Sequence, residues 1–296
     1  MAKVGFVALI GRPNSGKSSL LNRLIRSKVS IVSDKPQTTR HRILGVLTRA
    51  DSQIIFVDTP GVHRPGYRLN ERMMGAVYEA LRSVDLVLHM VDASERFGKG
   101  EKYVLDLIRR IRQPALLLLN KVDLINKGRL LPMMEFYHQR HGYREIIPIS
   151  ALKGDNLAVL LDRIAGNLPE REFEYPDDYL TDQPERSLVG ELIREKVLDC
   201  TRQELPYSTA VLVEEFDEGR RTDGLVVIRA SIVVEKASQK KIVIGRAGRM
   251  IKTIGTRARK EIQRFLGVRR VALELQVSVA PEWRNREGLL DRFGVV

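Results

Sequence analysis

Eight consecutive residues, Gly11-Arg12-Pro13-Asn14-Ser15-Gly16-Lys17-Ser18, set two glycines, a lysine and a hydroxyl at the spacing of a phosphate-binding loop. Glycines let backbone N–H groups curl around phosphate oxygens, helped by the N-terminus of the helix that follows. Lys17 is expected to neutralise the β- and γ-phosphates, and the Ser18 hydroxyl to bind Mg²⁺. Gly11, Asn14, Ser15, Gly16 and Ser19 complete the expected nucleotide contacts of this stretch. The competing reading is a chance glycine turn, which seldom sits between a strand and a helix as this one does.

A phosphate loop does not choose between bases; Asn120-Lys121-Val122-Asp123 does. The Asp123 carboxylate can accept two hydrogen bonds from the N1–H and N2–H₂ edge of guanine. Adenine lacks the amine and would leave that acceptor desolvated and unpaired. Asn120 can bond the N7 side or tie loops together, and the Lys121 stem can cover the base. Ser150-Ala151-Leu152 follows the next strand, where backbone N–H groups could meet the guanine O6. Asp58-Thr59-Pro60-Gly61 offers a carboxylate to hold Mg²⁺ through a water and a Gly61 N–H for the γ-phosphate. In Pro36-Gln37-Thr38-Thr39-Arg40, a threonine hydroxyl can complete the Mg²⁺ shell only while the γ-phosphate is present. Thr39 is favoured over Thr38, which makes Lys17, Thr39 and Gly61 the candidate catalytic set. Plain β-propensity is the other explanation for paired threonines.

A second kind of site lies far along the chain. Val243-Ile244-Gly245-Arg246-Ala247-Gly248-Arg249 contains a G-x-x-G turn, with Lys240, Lys241 and Lys252 close by. Such a turn lets an RNA backbone approach, cations meet phosphates, and an adjacent apolar groove takes roughly four unpaired nucleotides. G-x-x-G alone is weak, because many helices start on such a turn. From 236 to 270, however, there are twelve Lys/Arg and one acid, Glu261, where a solvated face would mix signs.

The elements that must hold these residues can be read from periodicity. Residues 4–10, 54–57, 86–91, 116–119 and 146–149 are apolar runs of strand length. Residues 17–27, 70–84, 99–111, 130–141 and 156–167 are helix-like and alternate with them. This predicts an α/β domain with a mostly parallel sheet, helices on both faces, and functional loops at the carboxyl ends of strands. Near 168 the pattern changes. Residues 169–184 hold three prolines and many acids, so they read as a linker. A helix over 187–204, strands over 208–216, 225–234 and 271–279, and a terminal helix over 286–293 then predict a smaller α+β domain. The expected domains are 1–168, a linker 169–186, and 187–296.

The 296 residues favour two domains, and 43% hydrophobic content rules out a disordered chain. No apolar run approaches the roughly 20 residues of a membrane helix. Residues 1–10 lack a signal-peptide pattern, and one cysteine, Cys200, excludes an internal disulfide and a cysteine-based zinc site. A cytoplasmic monomer is expected. The net charge of +13 calls for an anionic partner, either nucleic acid or an acidic membrane surface. The five histidines, among them His63 and His89, are scattered, and His138/His141 read as a helix face.

GRPNSGKS, PQTTR, DTPG, NKVD, ISA and VIGRAG, in that order over nearly the whole chain, resemble the Era family of bacterial GTPases. The resemblance implies a Ras-like P-loop GTPase domain joined to a type II KH domain, in which 238–243 would be a short helix. Apolar runs alone leave strand or helix open there. It further implies GTP and GDP as ligands, and assembly of the small (30S) ribosomal subunit with the KH domain on the 3′ end of 16S rRNA. Asn14 resembles the asparagine of potassium-stimulated relatives, which adds K⁺ to Mg²⁺ as an expected cation. Val62 stands where Ras-like switches carry a glutamine that orients the attacking water. Valine cannot, and Arg40 and Arg42 cannot be assigned as a finger, so slow intrinsic hydrolysis is expected. A GTPase accessory to an RNA-modifying enzyme is the alternative. Weak peripheral membrane binding at the inner face of the cell membrane, through basic 257–266, ranks third because Ile262, Phe265 and Leu266 read as core.

Overall fold

The apolar run that leads into the phosphate loop is strand β1 (Ala2–Gly11). Val4, Ala8 and Ile10 point to one face of the sheet, Val7 and Leu9 to the other, and all are buried. A strand covered on both sides must be apolar on both, which explains the unbroken run. The structure, a computed structural model, describes residues 1–35, 37–62, 66–201 and 205–295. It divides into two units: Met1–Ser30, Thr39–Pro65 and Asn70–Asp182, and then Ile31–Thr38, Gly66–Leu69 and Gln183–Val296. Pro36, His63 and residues 202–204, all parts of expectations above, lie outside the described residues.

After β1 come α1 (Lys17–Ile25), β2 (Ile43–Thr48), β3 (Ser52–Asp58), α2 (Arg68–Ser83), β4 (Leu86–Asp92) and α3 (Lys99–Ile108). Then follow β5 (Ala115–Asn120), α4 (Leu130–His138), β6 (Glu145–Pro148), α5 (Leu157–Gly166) and β7 (Glu170–Arg171). The sheet order is β2-β3-β1-β4-β5-β6, parallel except for β2, with β7 antiparallel beside the start of β1. One core cluster packs α2, α3 and α4 on one face; the other packs α1 and α5 on the opposite face. Helix α4 ends at His138, and His141 lies beyond it with its ring 4.6 Å from that of Tyr143, so the expected histidine face does not form.

Residues 169–182, which read as linker, are laid against the first unit by polar contacts. The Gln53 amide oxygen accepts the Glu174 and Tyr175 N–H groups at 2.8 and 3.0 Å. Its NH₂ donates to the Tyr175 carbonyl at 2.8 Å, and the Val46 N–H donates to the Leu180 carbonyl at 2.9 Å.

The second unit holds α6 (Glu185–Cys200), α7 (Leu205–Ser208), β8 (Ala210–Asp217), β9 (Leu225–Val234), α8 (Ala237–Ile244), α9 (Arg249–Leu266), β10 (Arg270–Val279) and α10 (Glu287–Arg292). Its sheet runs β10-β9-β8, with β9 parallel to β10 and antiparallel to β8. Ile254, Ala258, Ile262 and Leu266 recur every four residues on α9 and are buried. The helix stops at Gly267, whose φ of 65° is a left-handed conformation that glycine adopts without a Cβ penalty.

Candidate functional site

Four loops meet at the carboxyl ends of β1, β3, β5 and β6. In a parallel sheet this edge is where helix N-termini and strand-end side chains converge, beside the central strand. The phosphate loop leaves β1 with Asn14 and Gly16 in left-handed backbone, at φ 64° and 99°. Gly16 opens α1 with no side-chain cap, so the first N–H groups of the helix are left to a ligand. A Cβ on Gly16 would collide with the Asn120 amide, so the loop and the base-side loop close on one another only through glycine.

Lys17 is buried, and among the described residues its ammonium donates to the carbonyls of Gly11 and Arg12, at 3.2 and 3.0 Å. Burial lowers its pKa to about 8, against the opposing pull of the Asp58 and Glu101 carboxylates. Asp58 is fully buried, and desolvation raises its pKa despite Lys17 and the Ser18 and Ser30 hydroxyls. Ser18 Oγ donates to Asp58 Oδ2 at 2.7 Å and lies 2.9 Å from Thr39 Oγ1. Among the described residues, Asp58 Oδ1 and Ser15 Oγ are buried without a hydrogen-bond partner. A buried ammonium without a carboxylate in bonding distance, beside an orphaned carboxylate oxygen and two hydroxyls, fits a polyanion together with a divalent cation. Thr38 is turned away, its hydroxyl donating to the Lys35 carbonyl at 2.6 Å. Gly61 approaches the loop so closely that a Cβ would stand 2.7 Å from Pro13 Cα. Val62 faces the apolar core, 2% exposed, and its N–H donates to the Gly11 carbonyl at 3.0 Å. Ser19 is half-buried in the first turn of α1.

On the base side, Asn120 ties loops rather than pointing outward. Its NH₂ donates to the Ser15 carbonyl at 2.8 Å, and its oxygen accepts the Ala151 N–H at 3.0 Å. The Ser150 hydroxyl donates to Asp123 Oδ1 at 2.6 Å, which orients that carboxylate. Leu152 is 75% exposed, so any contribution of its loop comes from the backbone. Two partners escape sequence reasoning. Asp92, at the end of β4, pairs with Lys121 at 2.5 Å and steers its stem. Ser30 Oγ donates to Asp58 Oδ2 at 3.1 Å. Asp92 could have been found from its strand-end position; a lone Ser30 carries no comparable signal.

In the second unit the short helix α8 ends at Gly245, φ 71° and ψ 174°, and Ala247 and Gly248 follow at φ 51° and 74°. Ala247 holds left-handed backbone despite its Cβ, at a cost of about 1 kcal/mol. The turn lifts Arg246 and Arg249 into solvent, with Lys241 and Lys252 exposed beside it and Lys240, Ile244 and Gly245 half-buried. Next to it, α9 and the edge strand β10 flank a groove of about 320 Å³ floored by Ile251, Gly255, Leu273 and Leu275 and edged by Lys252 and Arg259. An apolar floor with a cationic rim suits unstacked bases with their phosphates outside.

Residues 6–121 match the family described as 50S ribosome-binding GTPase, and residues 204–284 match the KH domain family. A crystal structure of Era in complex with MgGDPNP and nucleotides 1506–1542 of 16S ribosomal RNA superposes with a TM-score of 0.96. It is 41% identical over 100% of both chains. A variant of Aquifex aeolicus Era bound to GDP·AlF4⁻ gives 0.94, at 40% identity over 99% of each chain. With the phosphate loop, the guanine-side loop and the G-x-x-G turn all in place along an alignment of full length, this chain belongs to the Era family of GTPases.

Proposed function

We propose that the chain is a GTP-hydrolysing switch that binds the 3′ end of 16S rRNA through its KH unit and assists assembly of the small ribosomal subunit. The observation that carries the reading is the meeting of Ser18, Thr39 and Asp58 beside buried Lys17. Three separate stretches of sequence supply one phosphate-and-metal position. Lys17 exchanges its two carbonyl partners for the β- and γ-phosphates, which restores an opposite charge to a desolvated ammonium. Ser18 and Thr39 hold Mg²⁺ by their hydroxyls and Asp58 holds it through water. The bound ion neutralises charge on the β- and γ-oxygens as the terminal phosphoryl group leaves. The Gly61 N–H meets the γ-phosphate. Asp123 reads the guanine N1 and N2 edge, the 150–152 backbone reads O6, and Asn120 keeps the two loops in register.

Hydrolysis is slow without help, because no side chain at position 62 can hold the attacking water. Potassium beside Asn14 belongs to the same reading; equal rates in K⁺ and Na⁺ would remove it. The GTP-binding unit carries the 169–182 stretch fastened along it, the RNA-binding unit takes over from 183, and the protein acts as a cytoplasmic monomer. The apolar face of α9 lies in the core of its own unit, which argues against membrane insertion.

Gating rests on residues 31–38, which cluster with the second unit. Within that unit Ile31 joins the core, the Glu195 carboxylate accepts the Val32 N–H at 2.9 Å, and Arg194 donates to the Thr38 carbonyl. Thr39 is the next residue, so the ordering of Thr39 by nucleotide pulls on a strap fastened to the KH core. Crosslinking the protein to cellular RNA and reading the bound sequences tests the target. Enrichment of the 16S 3′ end supports this reading. Enrichment of the substrate of an RNA-modifying enzyme, without co-sedimentation with small subunits, would replace it.

A further inference from the structure

The nucleotide loops occupy one edge of the first unit's sheet. Toward the opposite edge, where α2 and α3 run out, a cavity of about 500 Å³ opens between those two helices. Neither the nucleotide site nor the KH turn uses it. Its floor is aliphatic, made by Leu81, Leu107 and Ile111. Tyr78 and Tyr103 bring their hydroxyls within 3.5 Å of each other at one wall, and Tyr78 is 42% exposed. Arg82, Arg110 and Arg112 complete the lining, and none of the three pairs with an acid among the described residues. The only acid of the lining, Asp106, is already engaged by Arg109 at 3.6 Å.

A cation at each helix C-terminus offsets a macrodipole. Two helices account for two of these arginines, and for none of the aliphatic floor they fence. We propose that this cavity docks an acidic amphipathic helix of a protein partner. A third helix laid along the groove between α2 and α3 packs ridge into groove, with its leucine-type side chains over Leu81, Leu107 and Ile111. Its carboxylates meet Arg82, Arg110 and Arg112, which speeds encounter and rejects basic partners. Single-stranded nucleic acid asks instead for aromatic faces set along a basic track. Here the two tyrosines share one wall, and the depth of the cavity is aliphatic.

The test uses the full chain with GDP bound and with leucine and isoleucine methyl groups labelled for NMR. It is titrated with a synthetic helix of about 16 residues carrying leucine at i, i+3, i+4 and i+7 and glutamate elsewhere. An isomer with lysine in place of glutamate and a short oligouridylate are the comparison probes. The glutamate peptide is expected to shift the Leu81, Leu107 and Ile111 methyls. The lysine isomer, or the charge reversals Arg82→Glu and Arg110→Glu together, should weaken binding about tenfold or more, with GDP affinity unchanged as the check on folding. Silence at the methyls of those three residues, equal binding of the lysine isomer, or shifts there with oligouridylate in place of the peptide would each overturn the proposal.

Discussion

Lys121 and Ala247 both hold left-handed backbone, at φ 65° and 51°, and there the likeness between the two candidate sites ends. Around Lys121 everything is fastened. Asn120 is 2% exposed with its amide bonded at both ends, and Asp92 grips the lysine itself. Around Ala247 the cations Arg246, Arg249 and Lys252 stand in solvent. The contrast follows from the ligands. A nucleotide is small and highly charged, so each contact must be preorganised and desolvated to count. A nucleic-acid strand spreads its charge along a line, so an open ridge of cations beside a shallow groove collects many modest terms.

That comparison can be broken by substitution. Lys17→Ala should have the largest effect. It removes charge-assisted bonds to two phosphates, and calorimetry should find GTP affinity lower by about 10³-fold or more. Val62→Gln comes next, and it acts on stability. The amide would enter the apolar cluster without a partner, lowering unfolding free energy by about 2–3 kcal/mol in denaturant titration, with no faster hydrolysis. A rate increase there would mean that position 62 faces the nucleotide after all. Asn120→Ala orphans the Ala151 N–H and the Ser15 carbonyl, and a loss of about 2 kcal/mol in GTP binding is expected. Arg246→Ala should be mildest. RNA affinity drops about fivefold, and the slope of log K against log salt eases by about 0.7. If it cost as much as Lys17→Ala, the picture of an open ridge would be wrong.

What was legible in the sequence is what chemistry forces into fixed spacing. The phosphate loop, Asp58, Asn120 and Asp123 could be placed because a triphosphate and a guanine accept few substitutes. Edge strand β2 was not among the apolar runs, since Gly45 interrupts it. The 169–182 stretch looked like a bare linker because polar bonds through Gln53 hold it, and hydrophobic periodicity is blind to those. Helix α8 was ambiguous because Ile242-Val243-Ile244 suits strand or helix. The Gln239 side-chain oxygen, reaching back to accept the Lys236 N–H at 2.9 Å and the Glu235 N–H at 2.9 Å, closes the first turn of a helix there. Ser30 is a single polar residue whose partner lies far away in sequence, so only the fold brings it to the site, whereas Asp92 is marked by its place at the end of β4.

In the proposed switch, nucleotide state sets RNA affinity through residues 31–39. Its most direct test is fluorescence anisotropy with the 3′-terminal segment of 16S rRNA, at one salt concentration, on the full chain loaded with Mg²⁺ and either GDP or a non-hydrolysable GTP analogue. RNA should bind about tenfold tighter or better in the analogue state, because a ligand shifts an equilibrium only by its differential affinity for the two states. Equal affinity in the two states would contradict the switch.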